Sequence, residues 1–238
     1  EHPLSIDAEG QLLASVMAKK FSVSAQHILI DIPMGKTTKA NTWNKAQHLR
    51  KKFECVGKKL GMNVRVIITD GSQPIGRGIG PLLEAEDVLS VLRNEPGAPA
   101  DLRKKSLMLA GLLLEMAGGH RNGLKIATEI LESGKALRQM NKIIQAQGKR
   151  KMPERGKFTL PVHAGKIGRV REIDNEAISK IARIAGAPFD KGAGIIINKK
   201  VHDSVQKKDL LYTIYAASNF KLNLSKEFVR KNKGYIID

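Results

Sequence analysis

A chain of 238 residues, 42% hydrophobic and 27% charged, can bury a core of ordinary size and is too apolar for an intrinsically disordered protein. No apolar run approaches the roughly 20 residues that span a bilayer, no signal-peptide pattern opens the chain, and the single Cys55 excludes an internal disulfide framework, which fits a reducing, cytoplasmic setting without membrane partners. The formal charge of +18 attracts anions, but 4% aromatics and the lack of any long block of like charge favour a solvated basic surface or a small anionic substrate over a base-stacking nucleic-acid platform.

In chain order, Ser5 and Asp7 are placed to cap a helix running to about Phe21, because their oxygens can accept from the free N–H groups of its first turn. Leu12, Leu13, Val16, Met17 and Phe21 share one face of it. The apolar run His27–Ile32, ended by Pro33 and Gly35, predicts a buried strand. A polar helix follows from about Lys39 to Leu60, stopped by Gly61, and Val64–Thr69 predicts a second strand ended by Asp70-Gly71. Strand, crossover helix and strand imply a parallel sheet. A helix over Gly80–Arg93 ends in the breaker group Glu95-Pro96-Gly97-Ala98-Pro99. Three helical stretches follow at Ala100–Ala117, Gly123–Glu132 and Lys135–Gln147, the first carrying enough leucine to be largely buried.

Residues 148–157 are basic, hold Pro153 and Gly156, lack periodicity and predict a linker. Beyond them lie short strands at Phe158–Val162, Lys166–Val170, Gly194–Ile197 and Leu210–Ala216, with one helix at Asn175–Ala185. The fold class is α/β: a parallel-sheet α/β domain with flanking helices, then a smaller C-terminal α+β domain. The expected division is a leading helix (1–22), part of the α/β domain (23–147), a linker (148–157) and the C-terminal domain (158–238).

Several motifs fail on inspection. Gly35-Lys36-Thr37 follows a strand, but a phosphate loop needs glycine where Ile30 stands, and Pro33 has no N–H to offer; Lys36 and Lys39 remain candidate phosphate contacts. Gly76-Arg77-Gly78-Ile79-Gly80 lacks the third glycine of a dinucleotide loop, since Pro81 stands there. No two of the six histidines have metal-ligand spacing, and no G-x-S-x-G elbow occurs. Val201–Leu210 has the cadence of a lipoyl-type β-turn without a modifiable lysine between acidic or methionine neighbours.

An ordered series of segments carries more weight. Pro3–Lys20 contains Ser15-Val16-Met17-Ala18-Lys19-Lys20. Asp31-Ile32-Pro33-Met34-Gly35 and Thr69-Asp70-Gly71-Ser72-Gln73-Pro74-Ile75-Gly76 follow. After the linker come Ala164-Gly165-Lys166-Ile167-Gly168, Arg183–Pro188 and Asp190–Ile195. In this order they resemble the C-terminal half of the thymidine and pyrimidine nucleoside phosphorylases. The form Asp31-Ile32-Pro33-x-Gly35 resembles the type-2 subgroup, which includes AMP phosphorylases; some bacterial relatives instead carry a lysine and then an aromatic residue where Pro33 and Lys39 stand.

The resemblance implies a glycosyltransferase that cleaves a nucleoside with phosphate, thymidine giving thymine and 2-deoxyribose 1-phosphate. It implies that Ser15 and Lys19 hold the base, with Leu12 and Val16 as pocket wall. Helical spacing independently puts Ser15 and Lys19 on one face. No cofactor is required by the resemblance beyond a monovalent cation at Ile75, Gly78 and Asp87, where Asp replaces the usual Glu. It also implies a homodimer at full length. Because the sequence opens on Glu1-His2-Pro3-Leu4, it reads as a piece of a longer chain, with the phosphate loop and the general acid upstream of Glu1 and little activity of its own. Two alternatives stand beside this reading: an AMP or other nucleoside-monophosphate phosphorylase, and a basic RNA-binding module. Base release from thymidine, uridine, AMP and CMP separates the first; salt-sensitive RNA affinity without nucleoside binding marks the second.

Overall fold

Two short apolar runs flanking a polar helix pair as their pattern requires. The computed structural model describes residues 9–119 and 121–238, so the Ser5 and Asp7 caps lie outside the described residues. The chain divides into two compact units, one running through Gly71 and including Met108–Lys125, the other comprising Ser72–Leu107 and Ile126–Asp238. The fold is mixed α/β with a small C-terminal domain.

In the first unit α1 (Glu9–Phe21) leads into β1 (His27–Met34), α2 (Trp43–Lys59) and β2 (Asn63–Asp70). The two strands run parallel, in register from His27 opposite Asn63 to Met34 opposite Asp70. Leu13 and Met17 of α1, Ile28 and Ile32 of β1, and Ala46, Leu49 and Phe53 of α2 form a common core with Met62 and Val66. Helix α2 starts later than the expected Lys39. Thr42 is in extended conformation and its hydroxyl accepts from the Lys45 amide, which sets the first turn at Trp43. At the other end Gly61 takes the left-handed conformation that stops the helix. Gly57 lets α2 lie against β2, since a Cβ there would come within 2.2 Å of a Val64 methyl.

The second unit opens with β3 (Gly78–Ile79) and α3 (Pro81–Leu92). Pro81 occupies the first helical turn, where its missing N–H costs nothing, and the Glu84 carboxylate accepts from the Gly80 amide. Strand β3 pairs antiparallel with β6 (Gly194–Ile197). This pairing takes residues 72–107 out of the expected 23–147 domain and joins them to the C-terminal residues. The sheet continues through β8 (Leu210–Ala216) to β4 (Phe158–His163), in the order β3-β6-β8-β4. A second sheet has the order β7-β5-β9, from β5 (Gly168–Ile173), β7 (Ser204–Val205) and β9 (Tyr235–Ile237). Helices α7 (Asn175–Ala185) and α8 (Asn219–Lys231) pack with these strands around Ile178, Ile181, Ile195, Tyr212 and Ile214.

The boundary between the units falls within α4 (Ala100–Gly118) and α5 (Gly123–Glu132); α6 is Lys135–Ala146. The expected burial of α4 is not observed. Leu107 is buried, but Leu109, Leu112, Leu114 and Met116 are half-buried and Leu113 is exposed. Its leucines spread around the helix instead of gathering on one face, so no single packing surface can cover them. The 148–157 stretch has no regular element, yet its end is anchored: Arg155 pairs with Glu86 and lies over the Tyr215 ring, and the Gly156 amide donates to Gly192.

Candidate functional site

Helix α1 presents the Ser15 hydroxyl and the Lys19 ammonium to solvent from positions one turn apart. At about 100° per residue, the order around the helix is Ser15, Lys19, Leu12, Val16, Leu13, Met17. Burial rises along that order: Ser15 and Lys19 are exposed, Leu12 and Val16 half-buried, Leu13 and Met17 buried. A flat ligand seated on the polar pair would therefore meet an apolar edge before reaching the core.

Leu12 also lines a shallow cavity of about 360 Å³ between α1 and α2, together with Glu9, Lys39, Lys45, His48 and Leu49. The structure thus brings Leu12 and Lys39 to one place. Ser15, Lys19, Val16 and Lys36 do not line it. Glu9 pairs there with Lys52 at 3.0 Å and lies 3.3 Å from the His48 ring nitrogen, beside Lys39 and Lys45.

The loop after β1 is a closed turn. The Gly35 amide donates to the Thr38 hydroxyl (3.0 Å), whose single hydrogen has the carbonyls of Gly35 (2.9 Å) and Ala40 (3.0 Å) as acceptors within reach. An amide already engaged in this way is not aimed at a phosphate, in keeping with the rejected P-loop pattern. At the carboxyl ends of the parallel strands, Thr69 donates to Asp31 at 2.6 Å. Ligands of open α/β sheets bind at such strand ends. Sequence reasoning missed this pair because only the strand register makes the two side chains neighbours.

In the second unit, Ile75, Gly78 and Asp87 line a common cavity of about 430 Å³ with Glu84, Ile178 and Ser179. Asp87 Oδ2 accepts from the amides of Arg77 (2.6 Å) and Gly78 (2.7 Å). Two N–H dipoles with their positive ends on that oxygen make this carboxylate a clamp for the loop. Gly76 has φ +71°, and a Cβ on Gly78 would come within 2.2 Å of the Leu83 carbonyl, so both glycines are needed for this loop. Its other side is held by Lys200, whose ammonium donates to the carbonyls of Pro74 and Gly76 and to Asp101. Sequence reasoning missed Lys200 as well. It lies 126 residues from Pro74 and is one of 41 basic residues, with no spacing to single it out.

Among the described residues, no group of three or more His, Cys, Asp or Glu side chains could hold a metal ion, and no helix is long and apolar enough to cross a membrane.

The family described as "Pyrimidine nucleoside phosphorylase C-terminal domain" matches residues 169–235. Over its whole length the chain is 46% identical to a protein of Methylococcus capsulatus, of which it covers 46%. It is 47% identical to one of Rhodopseudomonas palustris and 45% to one of Legionella pneumophila, again over the whole chain, covering 47% and 46% of those proteins. All three bear the name "Putative thymidine phosphorylase". The chain thus spans about half the length of the curated relatives it matches. Similarity to proteins of the thymidine/pyrimidine nucleoside phosphorylase family thus runs from α1 to β9, with the family's C-terminal domain at residues 169–235.

Proposed function

We propose that this chain is the base-binding and C-terminal portion of an enzyme that reversibly cleaves a pyrimidine nucleoside, thymidine foremost, with phosphate. The observation that carries the reading is the exposed Ser15–Lys19 pair, one turn apart on α1 and bordered by half-buried Leu12 and Val16. As phosphate attacks C1′, the departing base gains negative charge. A fixed ammonium at a base carbonyl stabilises that charge more in the transition state than in the ground state. The Ser15 hydroxyl can donate or accept, and so orients the ring without fixing its protonation state. Leu12 and Val16 supply an apolar wall that limits water at the same edge. The phosphate cradle and the general acid are assigned to the share of the relatives' length that this chain does not span, and the working form to a cytoplasmic homodimer.

A direct test incubates the full-length protein with phosphate and thymidine, uridine, AMP or CMP and follows base release. Thymidine turnover with no release from AMP is the expected result. Release from none of the four defeats the reading.

The cavity shared by Leu12 and Lys39, lined also by Lys45 and His48, favours a second reading: a nucleoside monophosphate whose phosphate sits among those basic groups. Reversing the charge of Lys36 and Lys39 together should then lower AMP affinity by about tenfold or more. Unchanged affinity in that double variant removes this second reading.

A further inference from the structure

The loop joining β2 to β3 has oxygens that ought to repel one another. The carbonyls of Pro74 and Gly76 and the carboxylate of Asp101 converge on one point. Gly76 is buried and its amide also donates to Asp101, at 3.2 Å, so the loop cannot simply turn these groups to water. Oxygens gathered in this way are the ligand set of a hard cation. Here the point is filled by the Lys200 ammonium, 2.6 Å from the Pro74 carbonyl oxygen and 3.0 Å from Asp101 Oδ2. Three acceptors match the three N–H donors of an ammonium group.

Lys200 is itself held in place. Its amide donates to Asp203 at 2.7 Å, and the next amide, that of Val201, donates to the Gln73 side chain at 2.8 Å. The cation is thus attached to a fixed turn of the same compact unit and loses little freedom on entering the loop. The other face of the loop, at Arg77 and Gly78, is clamped by Asp87 through amide donors. Between them, Asp87 takes the Arg77 and Gly78 amides and Lys200 takes the Pro74 and Gly76 carbonyls.

We propose that the Lys200 ammonium is the resident cation of the 73–78 loop, filling the place of a monovalent metal ion so that the loop keeps its shape without potassium or sodium. This inference concerns the second unit alone and does not depend on the nucleoside reading.

The test is hydrogen exchange of the Gly76, Arg77 and Gly78 amides in the full-length protein, in potassium chloride and in choline chloride of equal ionic strength. Unsubstituted protein should exchange alike in both. Lys200→Ala in choline should exchange about ten- to a hundredfold faster at these amides, the range set by losing hydrogen bonds to a charged group. Potassium or methylammonium should restore most of the protection, which a purely steric role for the side chain would not allow. The proposal is overturned by any one of three results: saturable slowing of exchange by potassium in the unsubstituted protein, wild-type protection of Lys200→Ala in choline, or fast exchange that no cation restores. If Lys200→Ala does not fold, the unsubstituted protein still decides through its response to potassium, and Lys200→Arg, which keeps the charge, should also show none.

Discussion

The two compact units are closed in different ways. In the first, β1, α2 and β2 follow one another directly, and their contacts join residues some 36 to 38 apart, as His27 with Asn63 and Asp31 with Thr69. In the second, the joining contacts reach 69 residues from Glu86 to Arg155 and 126 from Pro74 to Lys200. Local closure orders few residues per contact, whereas distant closure gains nothing until a long loop has been drawn together. Both units have an apolar core, but the second adds close approaches between distant segments, whereas the first closes through neighbouring elements.

The largest effect that would test this contrast comes from two glycine substitutions. Gly78→Ala drives a methyl to 2.2 Å from the Leu83 backbone, which cannot yield without displacing α3. A loss of about 3 kcal/mol or more in denaturant unfolding is expected. Gly57→Ala in the first unit meets the Val64 Cγ2 at 2.2 Å and Cβ at 2.7 Å instead of a backbone carbonyl, so side-chain rotation relieves only part of the clash and its loss should be somewhat smaller. Equal losses would break the comparison.

Alkali should act next, through two phenols of the second unit. Burial pushes the Tyr212 and Tyr235 phenols well above their ordinary range, with the stacked partner ring adding to the effect on Tyr235. Their hydroxyls donate to the Lys233 and Lys199 carbonyls. The unfolded chain loses these protons above about pH 10 and the folded chain keeps them, so stability is intact below that pH and falls above it. Each phenol should contribute a slope that approaches about 1.4 kcal/mol per pH unit well above pH 10, roughly 1.2 kcal/mol in total between about pH 9.5 and 11, read from melting curves. Tyr212→Phe should remove one phenol's share of the slope.

The smallest effects are at helix caps, one in each unit. Thr42→Ala removes the single side-chain bond to the Lys45 amide and should cost about 1 kcal/mol. Asp174 accepts from both Glu176 and Ala177, so Asp174→Ala should cost somewhat more, up to about 2 kcal/mol. Reversal of that order in thermal denaturation would show that the number of bonds made by the cap does not control its contribution.

The same contrast governs what could be read beforehand. β1, β2 and α2 were legible because apolar runs, Gly61 and the polar stretch between them are all local signals. Helix α7 was legible from the apolar spacing of Ile178, Ile181 and Ala185. Helix α8 was not: its polar surface outweighs the few apolar contacts at Leu222, Phe228 and Val229. β7 and β9, two and three residues long, exist only through pairing with β5. The expected Lys166–Val170 strand begins at Gly168 and runs on to Ile173, because Ala164 and Lys208 bond across the turn that precedes it. In the candidate site, Ser15 and Lys19 were singled out by the family resemblance and set on one face by helical spacing, but the Lys200 contact arises only when distant segments meet.

The central claim is that α1 presents a base-binding pair, and steady-state phosphorolysis of thymidine by full-length Lys19→Ala tests it most directly. The account predicts a fall in kcat/KM of about a hundredfold or more with an unchanged KM for phosphate. Activity within about twofold of the unsubstituted enzyme would contradict it, since an ammonium facing the departing base cannot be removed without raising the barrier.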